Sequence, residues 1–226
     1  MAVPTHLGII MDGNRRWARA HGLPAFVGHR RGARRLQSVL EACFSWGVRA
    51  VSVYALSTEN RNQRDPAEVK LLLGLLQGEG ERLVRRLDRD GVRFVHSGER
   101  DGLPPATRAF FDEAEARTRH HGPRVFNLAF NYGGRAEIAR ACRDLLRSGA
   151  APQAIDEASL EARLFTAGLP DMDLVLRTGG DCRLSNFFPW QCARARLHVT
   201  PTFWPALSRR ELQEALHAPA ASRRAG

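Results

Sequence analysis

His6–Arg35 reads HLGIIMDGNRRWARAHGLPAFVGHRRGARR and combines an apolar run, a sharp turn and two groups of arginines. The apolar run, Leu7–Met11, is long enough for a buried strand and too short for a helix. It leads into Asp12-Gly13-Asn14, where glycine accepts positive φ and Asx side chains bond their own backbone, so the chain turns sharply. A carboxylate on such a turn, surrounded by guanidinium groups and glycines, suits a metal-bound diphosphate. The alternative is an ordinary turn beside a solvated basic surface.

The composition indicates a globular chain. Of its 226 residues, 43% are hydrophobic and 26% are charged, which suits a single α/β domain over residues 1–226. No run approaches the roughly 20 apolar residues of a membrane span, and we expect no signal peptide because no basic region precedes an apolar one at the N-terminus. Four scattered cysteines without a C-x-x-C pair favour reduced thiols in a cytoplasmic protein and disfavour a cysteine zinc site or redox motif.

The net charge of +10 predicts an acidic partner, which could be nucleic acid, an anionic membrane face or a phosphorylated small molecule. The arginines are dispersed beside turns, glycines and acids, without the aromatic platform that single-strand binders use. We therefore favour phosphorylated small molecules and expect no nucleic-acid partner.

Strand patterns and helix patterns alternate along the chain. Apolar runs predict strands, and apolar residues at i, i+3 and i+4 predict helices. The predicted strands after the first are Val51–Leu56, Val92–Val95, Val125–Phe130 and Asp173–Leu176. The predicted helices begin near His29, at Pro66 behind an Asp65 N-cap, and at Pro104-Pro105, with two more over Glu137–Leu146 and Arg209–Leu216. This alternation predicts an α/β fold with a mainly parallel central sheet flanked by helices.

Polar residues at the ends of the predicted strands should meet at one edge of the sheet. Asp12, Ser57, Asn131 and Arg177 each follow a strand, and parallel α/β sheets bind their ligands at the carboxyl ends of the strands. This convergence favours a functional site. The helix after Pro66 contains three glycines, each of which weakens it by up to about 1 kcal/mol, so we expect it to be bent or mobile.

Ordered motifs along the chain carry a family resemblance. They are Met11–Ala18 (MDGNRRWA), Gly28–Gly32 (GHRRG), Tyr54–Asn60 (YALSTEN), Asn131–Arg135 (NYGGR), Asp173–Gly180 (DLVLRTGG) and Arg183–Phe187 (RLSNF), followed by Trp190-Gln191 and Phe203-Trp204-Pro205. Together they resemble the cis-prenyltransferase, or undecaprenyl diphosphate synthase, family over nearly the whole chain. The resemblance implies transfer of an allylic prenyl group from its diphosphate to a carbon–carbon double bond, assisted by Mg²⁺. The substrates would be an allylic diphosphate, with dimethylallyl diphosphate as the first choice, and possibly isopentenyl diphosphate as the acceptor.

The resemblance also implies roles for individual residues. Asp12 matches the magnesium ligand. Catalytic roles are implied for Asp12, Asn14, His29, Ser57 and Asn60. Substrate binding is implied for Gly13, Arg15, Arg16, Trp17, Thr58, Glu59, Arg177, Arg183 and Ser185, of which the last three match the isopentenyl diphosphate site. For His29, a satisfied core histidine or one at a helix N-terminus is the alternative, and Asn60, Ser57, His29 and the released diphosphate all remain candidates for the final base.

The sequence departs from the family pattern mainly on the acceptor side. Arg196 stands in place of a magnesium-binding glutamate, Ala25 in place of a diphosphate-binding arginine, and Arg61 in place of a tryptophan. Arg64 could replace the arginine that normally follows that tryptophan, and Pro189 stands where an aliphatic residue is common. From these changes we hypothesise head-to-middle coupling of two dimethylallyl diphosphates to a lavandulyl- or cyclolavandulyl-type diphosphate.

Two other functions within the family are kept open. The first is a regular short-chain Z-prenyl diphosphate synthase that uses isopentenyl diphosphate. The second is a non-catalytic partner subunit, which the presence of Asp12 and Asn14 disfavours. A homodimer is expected from the resemblance alone, and Arg224-Ala225-Gly226 resembles a C-terminal motif that reaches the neighbouring subunit.

Overall fold

The computed structural model describes residues 3–63 and 65–218, so Arg64 and the motif at residues 224–226 lie outside it. The strands are β1 (His6–Ile10), β2 (Ala50–Ser57), β3 (Val92–Ser97), β4 (Arg124–Tyr132), β5 (Leu174–Arg177) and β6 (Arg196–Val199). They form one sheet in the order β3-β4-β2-β1-β5-β6. Every neighbouring pair is parallel, so the predicted α/β fold with a parallel central sheet is confirmed.

Helices and short helical segments connect the strands. They are α1 (Asn14–Ala20), α2 (Ala25–Ser45), α3 (Thr58–Gln63), α4 (Pro66–Leu75), α5 (Glu81–Arg89), α6 (Pro105–Thr118), α7 (Gly134–Arg147), α8 (Glu157–Glu161) and α9 (Arg209–His217), with a π-helical segment Leu76–Gly80 and 3₁₀ turns at Pro152–Ala154 and Trp204–Ala206. Among the described residues, no helix has the length and apolar character that a membrane crossing requires.

The side chains of β1 alternate between two apolar clusters. Leu7 and Ile9 pack with residues of α2, α5, α6 and α9, whereas Ile10 packs with Phe187 in a second cluster. Gly8 lies between them, and a Cβ at this position would come within 2.9 Å of Phe187 Cε1. The strand therefore packs tightly on both faces, as a central parallel strand does.

The predicted helix after Asp65 forms, and it is irregular where its glycines occur. The Asp65 carboxylate accepts a hydrogen bond of 2.8 Å from the Ala67 N–H, which is the expected N-cap. The chain then widens into the π-helical segment before α5 begins. Glu79 in that segment lies 3.7 Å from Arg30 and 3.3 Å from Arg34 on α2. These ion pairs attach the irregular segment to α2.

Candidate active site

Asp12 is held at the carboxyl end of β1 by hydrogen bonds of its backbone. Its carbonyl oxygen accepts from the Thr178 hydroxyl at 2.7 Å and from the Trp204 N–H at 3.0 Å. Gly13 follows with φ of 105° and caps α1, and a Cβ there would lie 2.7 Å from the Phe203 ring. The predicted sharp turn is therefore present, and only glycine suits it.

Two arginines hold the Asp12 carboxylate. Arg177 Nη2 lies 2.9 Å from Oδ2, and Arg16 Nη2 lies 3.1 Å from Oδ1. Burial alone would raise the pKa of Asp12, but the hydrogen bonds from Arg177 and Arg16 outweigh it and lower the pKa below its ordinary value. Asp12 is therefore ionised at neutral pH.

Arg177 links Asp12 to the segment that follows β5. Its side chain is 5% exposed, and it donates to the Arg183 carbonyl oxygen and, at 2.8 Å, to the Ser185 hydroxyl. Asp181 accepts from Arg177 Nη2 at 3.2 Å and from Arg183 Nη2 at 2.9 Å. Asp181 was not predicted, although an acid four residues after Arg177 in the Gly179-Gly180 turn was a usable signal.

The glycines of the GHRRG motif pack against Asn14. A Cβ on Gly28 would lie 2.1 Å from the Asn14 carbonyl oxygen, and one on Gly32 would lie 2.2 Å from Asn14 Oδ1. These glycines therefore allow α2 to approach the turn after β1. The buried Asn14 Oδ1 has no hydrogen-bond partner among the described residues, although buried polar atoms usually have one.

His29 and Arg15 share one carboxylate, Glu68 of α4. His29 is 8% exposed and its Nε2 lies 3.1 Å from Glu68 Oε1. Arg15 is more exposed, and its Nη1 lies 3.7 Å from Glu68 Oε2. Glu68 therefore connects α4 to two residues that were predicted to contact a diphosphate.

Ser57 ends β2 and caps α3, because its hydroxyl oxygen accepts from the Asn60 N–H at 2.9 Å. Glu59 on the same turn accepts from the Asn186 amide at 2.6 Å. Partial burial would raise the pKa of Glu59, but hydrogen bonds from its own backbone, Asn186, Ser57 and Thr58 lower it. The hydroxyl, amide and carboxylate groups of this turn line the same cleft as Asp12.

A polar cleft of about 720 Å³ collects most of the predicted site residues. It is lined by Asp12, Gly13, Asn14, Arg15, Arg16, His29, Ser57, Glu59, Asn60, Arg177, Arg183 and Ser185. Arg19, Tyr54 and Asn186 also line it and were not predicted, although Arg19 follows Arg15 at i+4, a usable helical signal.

Three predicted or motif residues face elsewhere. Trp17 is 7% exposed and stacks on His21 at 4.2 Å. The Thr58 hydroxyl donates to the neighbouring Glu59 side chain at 3.2 Å. Asn131 donates to the Glu99 carbonyl oxygen at 2.8 Å and accepts from Arg61 at 3.0 Å. None of the three lines the cleft in the described part of the chain.

An apolar cavity of about 120 Å³ continues from the cleft. Met11, Asn14, His29 and Ala55 line both spaces. Beyond them the cavity is walled by apolar side chains of the sheet and of the helices that cover it: Leu36, Leu72, Leu75, Leu76, Leu83, Phe94, Phe110, Phe126, Leu128, Phe130 and Trp204. Glu79 also lines this cavity. The site therefore joins a charged entrance to a mainly apolar interior.

Arg196 does not lie in the cleft of its own chain. It pairs with Leu174 at the amino end of β5, whereas Arg177, three residues later, pairs with Val199. Three residues of strand span about 10 Å, and the Arg196 guanidinium donates to the Ala218 carbonyl oxygen. Within a single chain Arg196 therefore lies toward the amino ends of the strands, away from Asp12, and the expectation that it alters the metal site stays a prediction.

Comparisons with known proteins agree on one family. Residues 10–226 match the prenyltransferase family described as undecaprenyl diphosphate synthase. The isoprenyl transferase of Heliobacterium mobile is 42% identical over 218 residues, which cover 95% of this chain and 84% of that protein. Isoprenyl transferase 2 of Bradyrhizobium diazoefficiens is 42% identical over 217 residues, with 94% and 86% covered.

Two solved structures share the fold. Lavandulyl diphosphate synthase from Lavandula x intermedia, in complex with dimethylallyl diphosphate, matches with a TM-score of 0.87 and 31% identity, covering 95% of this chain and 94% of that one. A probable undecaprenyl diphosphate synthase from Campylobacter jejuni matches with a TM-score of 0.79 and 29% identity, covering 95% and 93%.

Proposed function

The chain belongs to the undecaprenyl diphosphate synthase family and is a prenyltransferase, and we propose that it couples C5 units from allylic diphosphates into a short prenyl diphosphate. The observation that carries this proposal is the junction between the arginine-lined cleft and the small apolar cavity. A diphosphate suits the first space, and a C5 hydrocarbon group suits the second.

The arginines of α1 would bind the leaving diphosphate. Arg15 and Arg16 line the cleft with side chains 58% and 43% exposed, so they can turn toward an incoming anion. Arginine suits this role because its planar fork takes phosphate oxygens in pairs. A second cluster lies on the other side of the Asp12 carboxylate and consists of Arg177, Arg183 and Ser185. This cluster suits the diphosphate of the acceptor.

The donor set at Asp12 fits Mg²⁺. This hard cation usually takes one or two carboxylates together with substrate phosphates and water. Asp12 offers a carboxylate that is ionised and 28% exposed, and Asp181 lies close because both acids bond Arg177 Nη2. When bound, the ion would neutralise charge on the departing diphosphate. Asp12 would hold the ion, and Arg16 and Arg177 would have to give up some of their hydrogen bonds to the Asp12 carboxylate.

The apolar cavity would protect the allylic cation from water and limit product length. An apolar cavity of about 150 Å³ accommodates a benzene molecule, so the volume of about 120 Å³ suits one C5 group. Excluding water matters because it would capture the cation. The walls Phe94, Phe110 and Phe126 leave little room for a long chain in this arrangement.

The turn at Ser57 would complete the reaction by removing a proton. Ser57 and Asn60 line the cleft beside Ala55, which is shared with the apolar cavity. The Ser57 hydroxyl oxygen accepts from the Asn60 backbone, and Ser57 also hydrogen bonds Glu59. The Ser57 hydroxyl would therefore pass a proton toward Glu59 or the diphosphate, with Asn60 positioning the turn.

Of the two couplings, we favour head-to-middle joining of two dimethylallyl diphosphates. The small cavity supports short products, and Ala25 leaves α2 without the diphosphate-binding arginine of the family pattern. Regular coupling with isopentenyl diphosphate is the second candidate. The intact cluster of Arg177, Arg183 and Ser185, and the 42% identity to isoprenyl transferases, favour that candidate.

The deciding experiment is product analysis by mass spectrometry after incubation of the purified chain with Mg²⁺ and one or both C5 substrates. A C10 diphosphate from dimethylallyl diphosphate alone is the expected result. If no product forms until isopentenyl diphosphate is added, the head-to-middle proposal is wrong and the regular synthase is right. If neither mixture gives product, the chain is a non-catalytic partner subunit and the proposed function fails.

We also propose that the chain forms a homodimer. β6 is an edge strand of the sheet, and Leu197 on it is 37% exposed; exposed edge strands are commonly covered by a partner. Light scattering should give twice the chain mass of 25.2 kDa. A mass of one chain at micromolar concentration would refute the dimer.

A further inference from the structure

Two imidazoles and a carboxylate meet on the edge of the sheet opposite to the cleft. Asp88 is near the end of α5, and His120 and His121 lie between α6 and β4. One ligand atom from each residue lies within 4.8 Å of the other two. These three residues are called the His-His-Asp cluster. They lie beside the amino ends of β3 and β4, whereas Asp12 follows the carboxyl end of β1.

Contacts within the His-His-Asp cluster already orient two of its members. His121 Nε2 lies 2.9 Å from Asp88 Oδ1, with side chains 17% and 34% exposed. The His120 ring centroid lies 3.9 Å from that of His121, with 49° between the planes. His120 is exposed and makes no hydrogen bond to another described residue, so its ring can rotate at small cost.

A simple surface ion pair accounts for only part of this arrangement. The chain contains 34 lysines and arginines, yet in the parts described, 3–63 and 65–218, the only ion pair of Asp88 is with His121. That pair involves only two of the three groups and does not explain why the second imidazole lies against the first. One cation shared by the two imidazoles and the carboxylate would engage all three groups.

We propose that the His-His-Asp cluster binds one divalent transition-metal ion such as Zn²⁺. Zinc lies about 2.0–2.2 Å from histidine nitrogen and carboxylate oxygen, which places tetrahedral ligand atoms roughly 3.3 Å apart. No separation between the ligand atoms exceeds 4.8 Å, so the closing movement is at most about 1.5 Å, and the exposed His120 is free to rotate by that much. Water takes the fourth position. Imidazole donors favour zinc, nickel or copper over magnesium, so this site is chemically distinct from Asp12.

The bound ion connects two elements that are far apart in sequence. Asp88 belongs to α5, and the histidines belong to the connection between α6 and β4. Both elements pack around β3 at the edge of the sheet. Because a ligand that binds the folded chain and not the unfolded one stabilises the fold, zinc should raise the melting temperature without taking part in prenyl transfer.

The test is calorimetric titration of Zn²⁺ into the tag-free chain near neutral pH. The exposed Cys142 and Cys182 are replaced by serine in every sample, so that thiols add no binding. We expect one site in this background, weakened at least tenfold by His120→Ala and by Asp88→Asn. Arg119→Ala, a change at the exposed residue before His120, is the matched control and should retain the site.

Two further readouts separate a metal site from a folding defect. His120→Ala removes no hydrogen bond, so its melting temperature without metal should equal that of the background chain, while the rise produced by Zn²⁺ should disappear. Equal Zn²⁺ affinity in the background chain and in His120→Ala, or no binding in either, would overturn the proposal. Neither result depends on the prenyltransferase activity.

Discussion

The Asp12 carboxylate combines a lowered pKa with contacts to Arg16 and Arg177. We expect Asp12→Asn to reduce kcat by at least about 100-fold, a loss typical of removing one group that stabilises developing charge. The amide keeps the shape of the side chain but is a poor ligand for a hard cation, and it leaves the buried Arg177 with Asp181 as its remaining acidic partner among the described residues. The measurement is the rate of prenyl diphosphate formation at saturating substrate.

Asp156→Asn is the matched control for this change. Asp156 caps α8 by accepting from the Ser159 N–H at 2.8 Å, and asparagine caps helices nearly as well as aspartate. This variant therefore removes one negative charge outside the cleft and should keep kcat within about twofold. An Asp12→Asn enzyme with more than a tenth of the normal rate would contradict the role given to Asp12.

His96 should make the stability of the fold depend on pH. Its ring is buried, Nε2 donates to the Phe130 carbonyl oxygen at 2.9 Å, and it stacks on Phe111 at 3.9 Å. Burial is the main cause that lowers the pKa of His96 from 6.5 to about 4. Between these values the unfolded chain binds the proton and the folded chain does not, so the free energy of unfolding falls as pH falls. From about pH 7 to about pH 5 this histidine should contribute a loss of about 2 kcal/mol.

Urea denaturation of the natural chain and of His96→Gln at both pH values measures that contribution. Glutamine retains a donor for the Phe130 carbonyl oxygen but does not titrate, so the loss between the two pH values should be smaller in the variant. A residual loss is expected from His6, whose pKa burial also lowers. The same pH dependence in both proteins would show that His96 titrates normally in the folded chain.

Glycines on α2 and α4 should respond in opposite ways to the same substitution. In Gly28→Ala the new methyl group would meet the Asn14 carbonyl oxygen at 2.1 Å, and a backbone atom cannot move aside cheaply. We expect unfolding free energy to fall by about 1–3 kcal/mol, as for other overpacked sites. Gly74→Ala meets nothing within 4 Å and should stabilise α4 by about 0.5–1 kcal/mol. Thermal and urea unfolding measure both, and a stabilised Gly28→Ala would contradict the packing of α1 on α2.

Phe110 on α6 should limit the length of the product. Its ring lines the apolar cavity, and a Cβ on Gly80 would lie 3.1 Å from Phe110 Cζ. Phe110→Ala enlarges the cavity, so we expect the variant to accept an allylic diphosphate longer by at least one C5 unit and to give a correspondingly longer product. Gly80→Ala pushes the ring toward the cavity and should give no lengthening. Phe26→Ala, at an exposed aromatic residue, is the control. Mass spectrometry of the products decides, and an unchanged product in Phe110→Ala would refute the limit.

Elements with a clear apolar pattern could be predicted from the sequence, even when short, and polar or exposed ones could not. β2 lies within one residue of its predicted bounds at each end, and α6 begins at the predicted Pro104-Pro105, because burial fixes the side-chain pattern of such elements. α1 was missed because its seven residues are mostly polar and no side chain caps it. β6 was missed because it is a short, partly exposed edge strand that begins with Arg196. The family resemblance implied the site residues, and the strand ends by themselves predicted only that Asp12, Ser57 and Arg177 meet at one edge of the sheet.

The sequence could not show how side chains from different strands and helices are arranged relative to one another. The family pattern placed Arg196 at the position of a metal-binding glutamate, and only the register of β6 shows that Arg196 lies toward the amino ends of the strands in its own chain. Likewise, Trp17 belongs to the right motif, yet helical geometry turns it away from its neighbour Arg16. Asp181 was missed for the same reason, since its role depends on sharing Arg177 with Asp12. A motif therefore identifies the edge of the sheet, and the fold decides which side chains enter the cleft.

The charge of the whole molecule should control how fast the substrate binds. The chain carries a net charge of +10, and Arg15, Arg16 and Arg183 of the cleft have side chains 58%, 43% and 70% exposed. Attraction between such groups and a diphosphate is screened by salt, whose Debye length falls from about 10 Å at 0.1 M to about 3 Å at 1 M. We expect kcat/KM for the allylic diphosphate to fall several-fold from about 50 mM to about 500 mM salt, while kcat changes by less than about twofold. Steady-state kinetics over this range measures both constants.

Two variants test where that attraction arises. Arg183→Gln removes an exposed charge at the cleft and should make kcat/KM less sensitive to salt, because fewer charges then steer the substrate. Arg119→Gln removes an exposed charge outside the cleft, so the net charge falls equally but the salt dependence should stay close to that of the natural chain. Equal slopes for the two variants would mean that net charge alone attracts the substrate. We expect the contact between Arg177 and Asp12 to be protected from salt because Arg177 is buried. A fall in kcat with constant kcat/KM would contradict this, because it would mean that salt weakens that contact.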